Sequence, residues 1–563
     1  MVENIFKESL RFNDNNSLRD PERRKVLKLI AATGALFATG HSPFVRTSTF
    51  RTEQAIQKRL EEIIHNVVVI YFENHSFNSL FADFPGLLDP LASMPPELLV
   101  QRDINGDILK RLPPIWKGLV PYEQVVGDRK YQLLQDFNNT LPNAPWILTD
   151  EEGNPLPHSV IHRDLVHEFY RNQLQINGGR NDMFVAYSDS GALPMARYAT
   201  TDSNLKMWQL AQENTLCDRW FMGSFGGSFL AHQYLIAAQP PLYPNADWSI
   251  AKNKITLIKG NHAHGIHPIL DKHSPLNPIK GTLKFSQIGS LTPDFYCVNA
   301  MEPPYMPSAI GADKKNPHLT KRNSSAVLPP QHHATIGDRL TDAGISWAWY
   351  GGGFQMALEG KGFNGIHTNF PEAPNFQYHH QPFNYFKRYA PGTKDRKNHL
   401  RDGGIGNSSR ANRFLADAES GNLPQVAFYK PQGSLSLHPG YADVDSGDFH
   451  IDNIIHTLKQ GPQWEHMLIL VLPDENGGFW DHISPPKGDR WGPGTRIPAI
   501  VISPFAKKGF VDHTIYDTGS IQRFLNIRFG LEPLPGIIRR DQAMEAAGTA
   551  APGDLTNALD LKA

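Results

Sequence analysis

The chain carries two continuous apolar runs, IIHNVVVIYF at 63–72 and MLILVL at 467–472, and each stops abruptly on carboxylates. β-Branched and aromatic residues without alternation are the pattern of strands buried on both faces, which a largely parallel sheet flanked by helices provides. The first run ends in Glu73-Asn74-His75-Ser76 and the second in Pro473-Asp474-Glu475-Asn476-Gly477-Gly478. Both therefore deliver acidic side chains to the C-terminal edge of an open sheet, where α/β proteins bind ligands. A third run, IPAIVI at 497–502, stops at Ser503-Pro504. Helical patterns at 202–214, 335–343 and 520–529, with a strand returning at 347–350, alternate with these runs and predict an α/β fold.

At 563 residues the chain exceeds the size at which one core usually stops growing, so a large domain with elaborations, or two domains, is expected. The stretches 240–330 and 360–423 are rich in Pro, Gly, Asn and His, yet aromatic residues continue through both. They read as insertions forming a smaller lid over the sheet edge rather than as linkers. Arg23-Arg24 ahead of the short apolar run 29–40 has the form of a twin-arginine export signal. That reading makes 1–45 a leader, 46–540 the catalytic domain and 541–563 a C-terminal tail. It places the protein in the periplasm or outside the cell, with the twin-arginine export machinery as a partner; a cytosolic lead helix is the alternative. The run is too short for a stable membrane span, which needs about 20 apolar residues.

Lys plus Arg (55) balances Asp plus Glu (56), so there is no general basic footprint for nucleic acid or anionic lipid, and any anion has to be bound locally. Only Cys217 and Cys297 are present, and neither belongs to a Cys-x-x-Cys pair or opens Cys-x-Pro-x-Arg. Thiolate metal sites and the sulfatase type of oxidised cysteine both recede. Whether the two cysteines pair stays open.

Glu73, Asp474 and Glu475 are hard oxygen ligands and Asn74 adds a neutral one, a set suited to Ca²⁺, Mg²⁺ or Mn²⁺. Taken alone, Asp474-Glu475 is more often a solvated turn; its place after a buried strand and beside Gly477-Gly478 argues for a site. Ser228 follows Gly226-Gly227, which lets backbone approach an anion and leaves a hydroxyl exposed. It is not a Gly-x-Ser-x-Gly elbow, because Phe229-Leu230 follows. Metal coordination would make that hydroxyl a nucleophile. Among the 24 histidines, His379-His380, His438 and His167 sit in polar, turn-rich contexts suited to clamping phosphate or protonating a leaving oxygen. His262, His264 and His267 read as a loop cluster rather than as metal ligands.

VVVIYFENHSFNSLF, NGGRNDMFVAY, CDRWFMGSFGGSFLAH, TIGDRLTDAGISWAWY, YHHQPFNYF, HPGYADVDSGD and LPDENGGFWDHISPPKGDRWGPGTRIPAIVISPFAKKGFVDHT occur in this order from about 63 to 540. Together they resemble the bacterial phosphoesterase family of secreted acid phosphatases and phosphatidylcholine-type phospholipases C. The resemblance implies an alkaline-phosphatase-like open mixed sheet with flanking helices, one divalent metal ion (Ca, Mg, Mn or Zn) and a serine or threonine that is transiently phosphorylated. It places the metal on Glu73, Asn74, Asp474 and Glu475 with Ser228 as nucleophile, and active-site histidines on His379, His380, His438 and His167. Ser228-Phe229-Leu230 resembles the acid-phosphatase branch, since the phospholipase branch typically has Thr followed by Asp-Pro. The expected substrates are small phosphorylated molecules or phospholipid head groups. A phospholipase C-type phosphodiesterase and a non-catalytic exported phosphate- or sugar-binding protein are the alternatives.

Overall fold

The computed structural model describes residues 43–562, apart from 134–140, 151, 200–204, 262–264 and 361–375. The expected leader up to residue 42, and His262 and His264, lie outside the described residues. The chain divides into two units, which part between Arg59 and Leu60. All that follows concerns the second unit.

Its centre is an eight-stranded sheet. The strands are β1 (Asn66–Phe72), β2 (Thr215–Cys217), β3 (Trp347–Gly352), β4 (Leu400–Gly404), β5 (Val426–Lys430), β6 (Met467–Pro473), β7 (Ala499–Ile502) and β8 (Phe510–Asp512). They are ordered β4-β3-β5-β1-β6-β7-β2-β8, and every neighbouring pair is parallel except the two that β7 makes with β6 and β2. The chain leaves β6 at the C-terminal edge, forms the loop from Asp474 onward and re-enters from that same edge, so β7 must run the other way. The fold is thus α/β with an open mixed sheet.

β1, β5 and β6 are buried along their whole length, which is why their sequences do not alternate. One face, with Val68, Ile70, Ile469 and Val471, packs with Phe414, Ile451, Ile454 and Leu458 from the helices Arg413–Glu419 and Val444–Gln460. On the other face Tyr71 reaches the helix Ser228–Ala237, its hydroxyl donating to the Ala231 carbonyl. The first apolar run begins at Ile63 in sequence but enters the sheet only at Asn66: Ile63 is still helical and Ile64 N–H closes a last turn on Leu60.

The stretch 240–330 carries one hairpin, Ile258–Asn261 with Gly265–Pro268, held otherwise by isolated bridges. The stretch 360–423 differs from the expected lid insertion from residue 400 onward. Leu400–Gly404 is the edge strand of the main sheet, and a Cβ on Gly403 would stand 2.9 Å from the Gly351 carbonyl carbon, so strand pairing there needs glycine. Beyond residue 541, Met544, Leu555, Ala558 and Leu559 are buried. Cys217 and Cys297 are separate buried thiols. Among the described residues no helix is long and apolar enough to cross a membrane.

Candidate active site

Three neighbouring strands end on the site. Glu73 and Asn74 follow β1, Asp474 and Glu475 follow β6, and Lys430 closes β5; the register sets Phe72 opposite Pro473 and Ile70 opposite Tyr429. All five side chains are 0% exposed. Asn74 turns the chain with φ 55°, a left-handed conformation that asparagine tolerates. Gly477 packs its Cα against that turn: a Cβ there would lie 2.4 Å from the Asn74 carbonyl oxygen.

Ser228 opens the helix Ser228–Ala237 and lies in the floor of a cleft of about 980 Å³ lined also by His167, His379, His438 and Tyr441. Its Oγ is 3.1 Å from Glu73 Oε2, 3.2 Å from Asn74 Oδ1 and 3.4 Å from Glu475 Oε1. A hydroxyl has one proton, so it can donate to only one of the three. Asp474 Oδ1 accepts from the Asn74 and Glu475 N–H groups, whereas the buried Oδ2 has no hydrogen-bond donor; Lys430 Nζ stands 3.8 Å from it. Oxygens converging without enough protons fit a hard divalent cation. A second group, Asp164, His167 and His438, offers ligand atoms all within 4.8 Å of one another. There Asn74 Nδ2 donates to His438 Nε2 at 2.8 Å while His438 Nδ1 faces the Pro439 carbonyl at 2.6 Å, so both ring nitrogens are engaged.

The charges are unevenly distributed. Burial pushes the Glu73 carboxyl up, but Lys430 Nζ and His380 Nε2, each 2.6 Å from its Oε1, more than offset this and hold it well below the ordinary range. His380 is itself pushed down to about 4 by burial, with Glu73 opposing, so Lys430 is the charge that keeps Glu73 ionised. Burial and the Glu73 charge raise Asp474 well above the usual carboxylate value, against Lys430. Burial raises Glu475 to about 7, with His167 pulling the other way. His167 is lowered by burial but raised more by Glu475 and Asp164, to about 9, whereas burial drives His379 and His232 well below the usual histidine value. The two carboxylates beside His167, Glu475 at 3.7 Å and Asp164 at 3.6 Å, thus favour its charged form.

Of the sequence-predicted residues, Glu73, Asn74, Asp474, Glu475 and Ser228 come together. His167, His379 and His438 line the cleft beside them; His380 sits behind, against Glu73, with 1% exposure. His267 is an exposed residue of the hairpin strand Gly265–Pro268 and does not line the cleft. Two residues were not anticipated. Lys430 ends the short run VAFYK, and its burial was the missing signal. His232 lies one helical turn after Ser228, its Nδ1 2.7 Å from the Ser228 carbonyl and 3.6 Å from Asp474 Oδ2; the i, i+4 spacing was visible.

Phospholipase C B of Mycobacterium tuberculosis is 28% identical over 266 residues, which take in 42% of this chain and 45% of that protein. A non-hemolytic phospholipase C of Pseudomonas aeruginosa is 28% identical over 259 residues, 40% of this chain and 33% of that one. The matched region spans less than half the length of these curated relatives. Among solved structures, a protein in the alkaline phosphatase superfamily from Vibrio parahaemolyticus aligns over 68% of this chain and 72% of its own at 11% identity and a TM-score of 0.26, a likeness too distant to speak to chemistry. A sequence model of the Phosphoesterase family matches residues 64–532, a range that holds the sheet, Ser228 and every residue around it. The chain belongs to the Phosphoesterase family.

Proposed function

We propose that the protein hydrolyses phosphoric monoesters as an acid phosphatase, with Ser228 as the nucleophile and a phosphoserine intermediate. The observation that carries this reading is the Ser228 Oγ set 3.1–3.4 Å from Glu73, Asn74 and Glu475 in a cleft floor. A divalent ion held by Glu73, Asn74, Asp474 and Glu475 would supply positive charge to the serine oxygen and the phosphoryl group. Ser228 Oγ, giving up its proton to the Glu475 carboxylate 3.4 Å away, forms the new bond to phosphorus as the bond to the leaving oxygen breaks. His167, protonated, gives its proton to that oxygen or holds a phosphoryl oxygen, with His379 and His438 on the same walls and His380 steadying Glu73 from behind. Water then attacks phosphorus, one of its protons replacing the one that His167 gave up, and Ser228 leaves with the proton that Glu475 held. Ser228→Ala should lower p-nitrophenyl phosphate turnover roughly 10³-fold or more, and a phosphoserine adduct should be trapped only in the unsubstituted protein. Full activity in that variant would sink the reading.

A phospholipase C reading is favoured by the apolar residues Val120, Val298, Met301 and Phe229 among those lining the cleft, and by the names of the relatives. Side-by-side assay of p-nitrophenyl phosphate, p-nitrophenyl phosphorylcholine and phosphatidylcholine separates the two; turnover of none would favour the binding protein. Export to the periplasm or beyond rests on Arg23-Arg24 and the run 29–40, and Arg23→Lys/Arg24→Lys should retain the protein in the cytoplasm.

A further inference from the structure

The part of the chain from Leu242 to Phe285 carries a local excess of positive charge. It holds six lysines against Asp247 and Asp271, with no Glu or Arg, in a chain whose net charge is -1. Lys252, Lys259, Lys272, Lys280 and Lys284 are all exposed. The same stretch exposes large apolar side chains: Trp248 (89%), Leu276 (83%), Ile250 (54%), Leu257 (46%), Leu270 (38%) and Leu242 (36%). Single exposed apolar residues are ordinary; six among five exposed lysines in one insertion are not.

The described residues of the insertion are anchored to the body of the fold. Ala246, Ala251, Leu283 and Leu291 are buried beneath it, Leu257 N–H donates to the Gln287 carbonyl, and Leu270 pairs with Phe285. It is tied to the rim of the cleft. Thr282 Oγ1 donates to the carbonyl of Asp189, a cleft residue, and the Arg171 guanidinium lies 4.8 Å over the Phe285 ring. Downstream, Val298 to Glu302 form part of the cleft wall.

Tryptophan favours the boundary between water and lipid, where its apolar body is buried and its N–H stays wet. Lysines lay their stems along such a boundary and keep the ammonium among anionic headgroups. We propose that this insertion is the surface by which the protein seats on an anionic lipid bilayer, with Trp248 and Ile250 in the headgroup layer and the lysines against the lipid phosphates. The cleft mouth is then held next to the membrane. The surface stands apart from the choice of ester, because it concerns adsorption and not bond cleavage.

The test is co-sedimentation of the full chain, carrying Ser228→Ala so that lipid is not consumed, with vesicles of mixed phosphatidylglycerol and phosphatidylcholine and with pure phosphatidylcholine. Binding to the mixed vesicles, weakened by salt, is expected. Lys252→Gln/Lys259→Gln/Lys272→Gln should weaken it roughly 100-fold. Trp248→Ala should weaken it roughly tenfold. The same substitutions in active protein should leave p-nitrophenyl phosphate turnover unchanged, which reports that the fold is intact. No binding, equal binding to neutral vesicles, or binding indifferent to these substitutions overturns the proposal. Failure of the Ser228 reading would appear instead as undiminished p-nitrophenyl phosphate turnover by the Ser228→Ala protein.

Discussion

Lys430 Nζ lies 2.6 Å from Glu73 Oε1, with both side chains at 0% exposure at the ends of the adjacent strands β5 and β1. Taking the ammonium away leaves a buried carboxylate beside Asp474 with no full charge to balance it. Breaking such a pair from one side costs about 3–5 kcal/mol. Lys430→Met should therefore lower the stability to urea by about that amount, and Lys430→Met/Glu73→Gln should recover a substantial part of the loss. Strictly additive losses in the double variant would show that the two residues are not coupled.

Asp474 Oδ2 is buried without a donor, and Ser228 Oγ meets more oxygens than it has protons for. A bound divalent ion would relieve both and stabilise the folded state by mass action, by about 2.7 kcal/mol when its concentration is a hundredfold above Kd. Chelation should lower the melting temperature and abolish turnover, and Ca²⁺, Mg²⁺ or Mn²⁺ should restore both. In Asp474→Asn the thermal gain on adding back metal should shrink. A stripped protein whose melting temperature ignores all of these ions would count against the cluster as a metal site.

Gly227 precedes the serine, and a Cβ there would stand 2.6 Å from His167 Cδ2 and 2.8 Å from the His167 carbonyl oxygen. The backbone oxygen cannot swing aside, so Gly227→Ala has to displace His167, Ser228 or both. Misplacement by about 1 Å at a reacting group costs on the order of 10²-fold in rate. Turnover should fall by that order while metal content stays normal. An alanine variant as active as the parent would mean that His167 is not held against the serine loop for catalysis.

The legible parts of this molecule share a physical cause. Glu73 and Asp474 could be located because each ends a long apolar run, and a strand buried on both faces leaves that signature without any knowledge of its neighbours. Lys430 stayed hidden because β5 is five residues long, and a lysine after VAFY reads as the solvated end of a strand. Its burial depends on β1 lying alongside, a non-local fact. The direction of β7 was equally silent, since AIVI is the same pattern run either way and only the connection from β6 decides. His380 adjoins His379 in sequence and shares its polar context, yet the turn Tyr378–His380 sends the two side chains to different places, one lining the cleft and one behind Glu73.

Glu302 likewise has no local signature, being an acidic residue in a loop-rich insertion, and its burial gives the protein a pH dependence. Its Oε2 accepts from Ser308 Oγ and from the Ala309 N–H, each at 3.0 Å, and it is 8% exposed in the wall of the cleft. Burial raises its carboxyl to about 7, with those two donors pulling the other way. Unfolded, the carboxyl titrates near its ordinary value of about 4.3. Between the two values the folded protein keeps a proton that the unfolded chain has released, so stability falls as pH rises. The contribution is fully present below the unfolded value and is lost as pH climbs through about 7, with a span on the order of 3 kcal/mol. Glu302→Gln keeps the shape and an acceptor for Ser308 while removing the titration. The variant should therefore match the parent near pH 4 and melt a few degrees higher near pH 8. Thermal scans across that range check it, and parallel melting curves for the two proteins would show that Glu302 is not the neutral acid that its buried position requires.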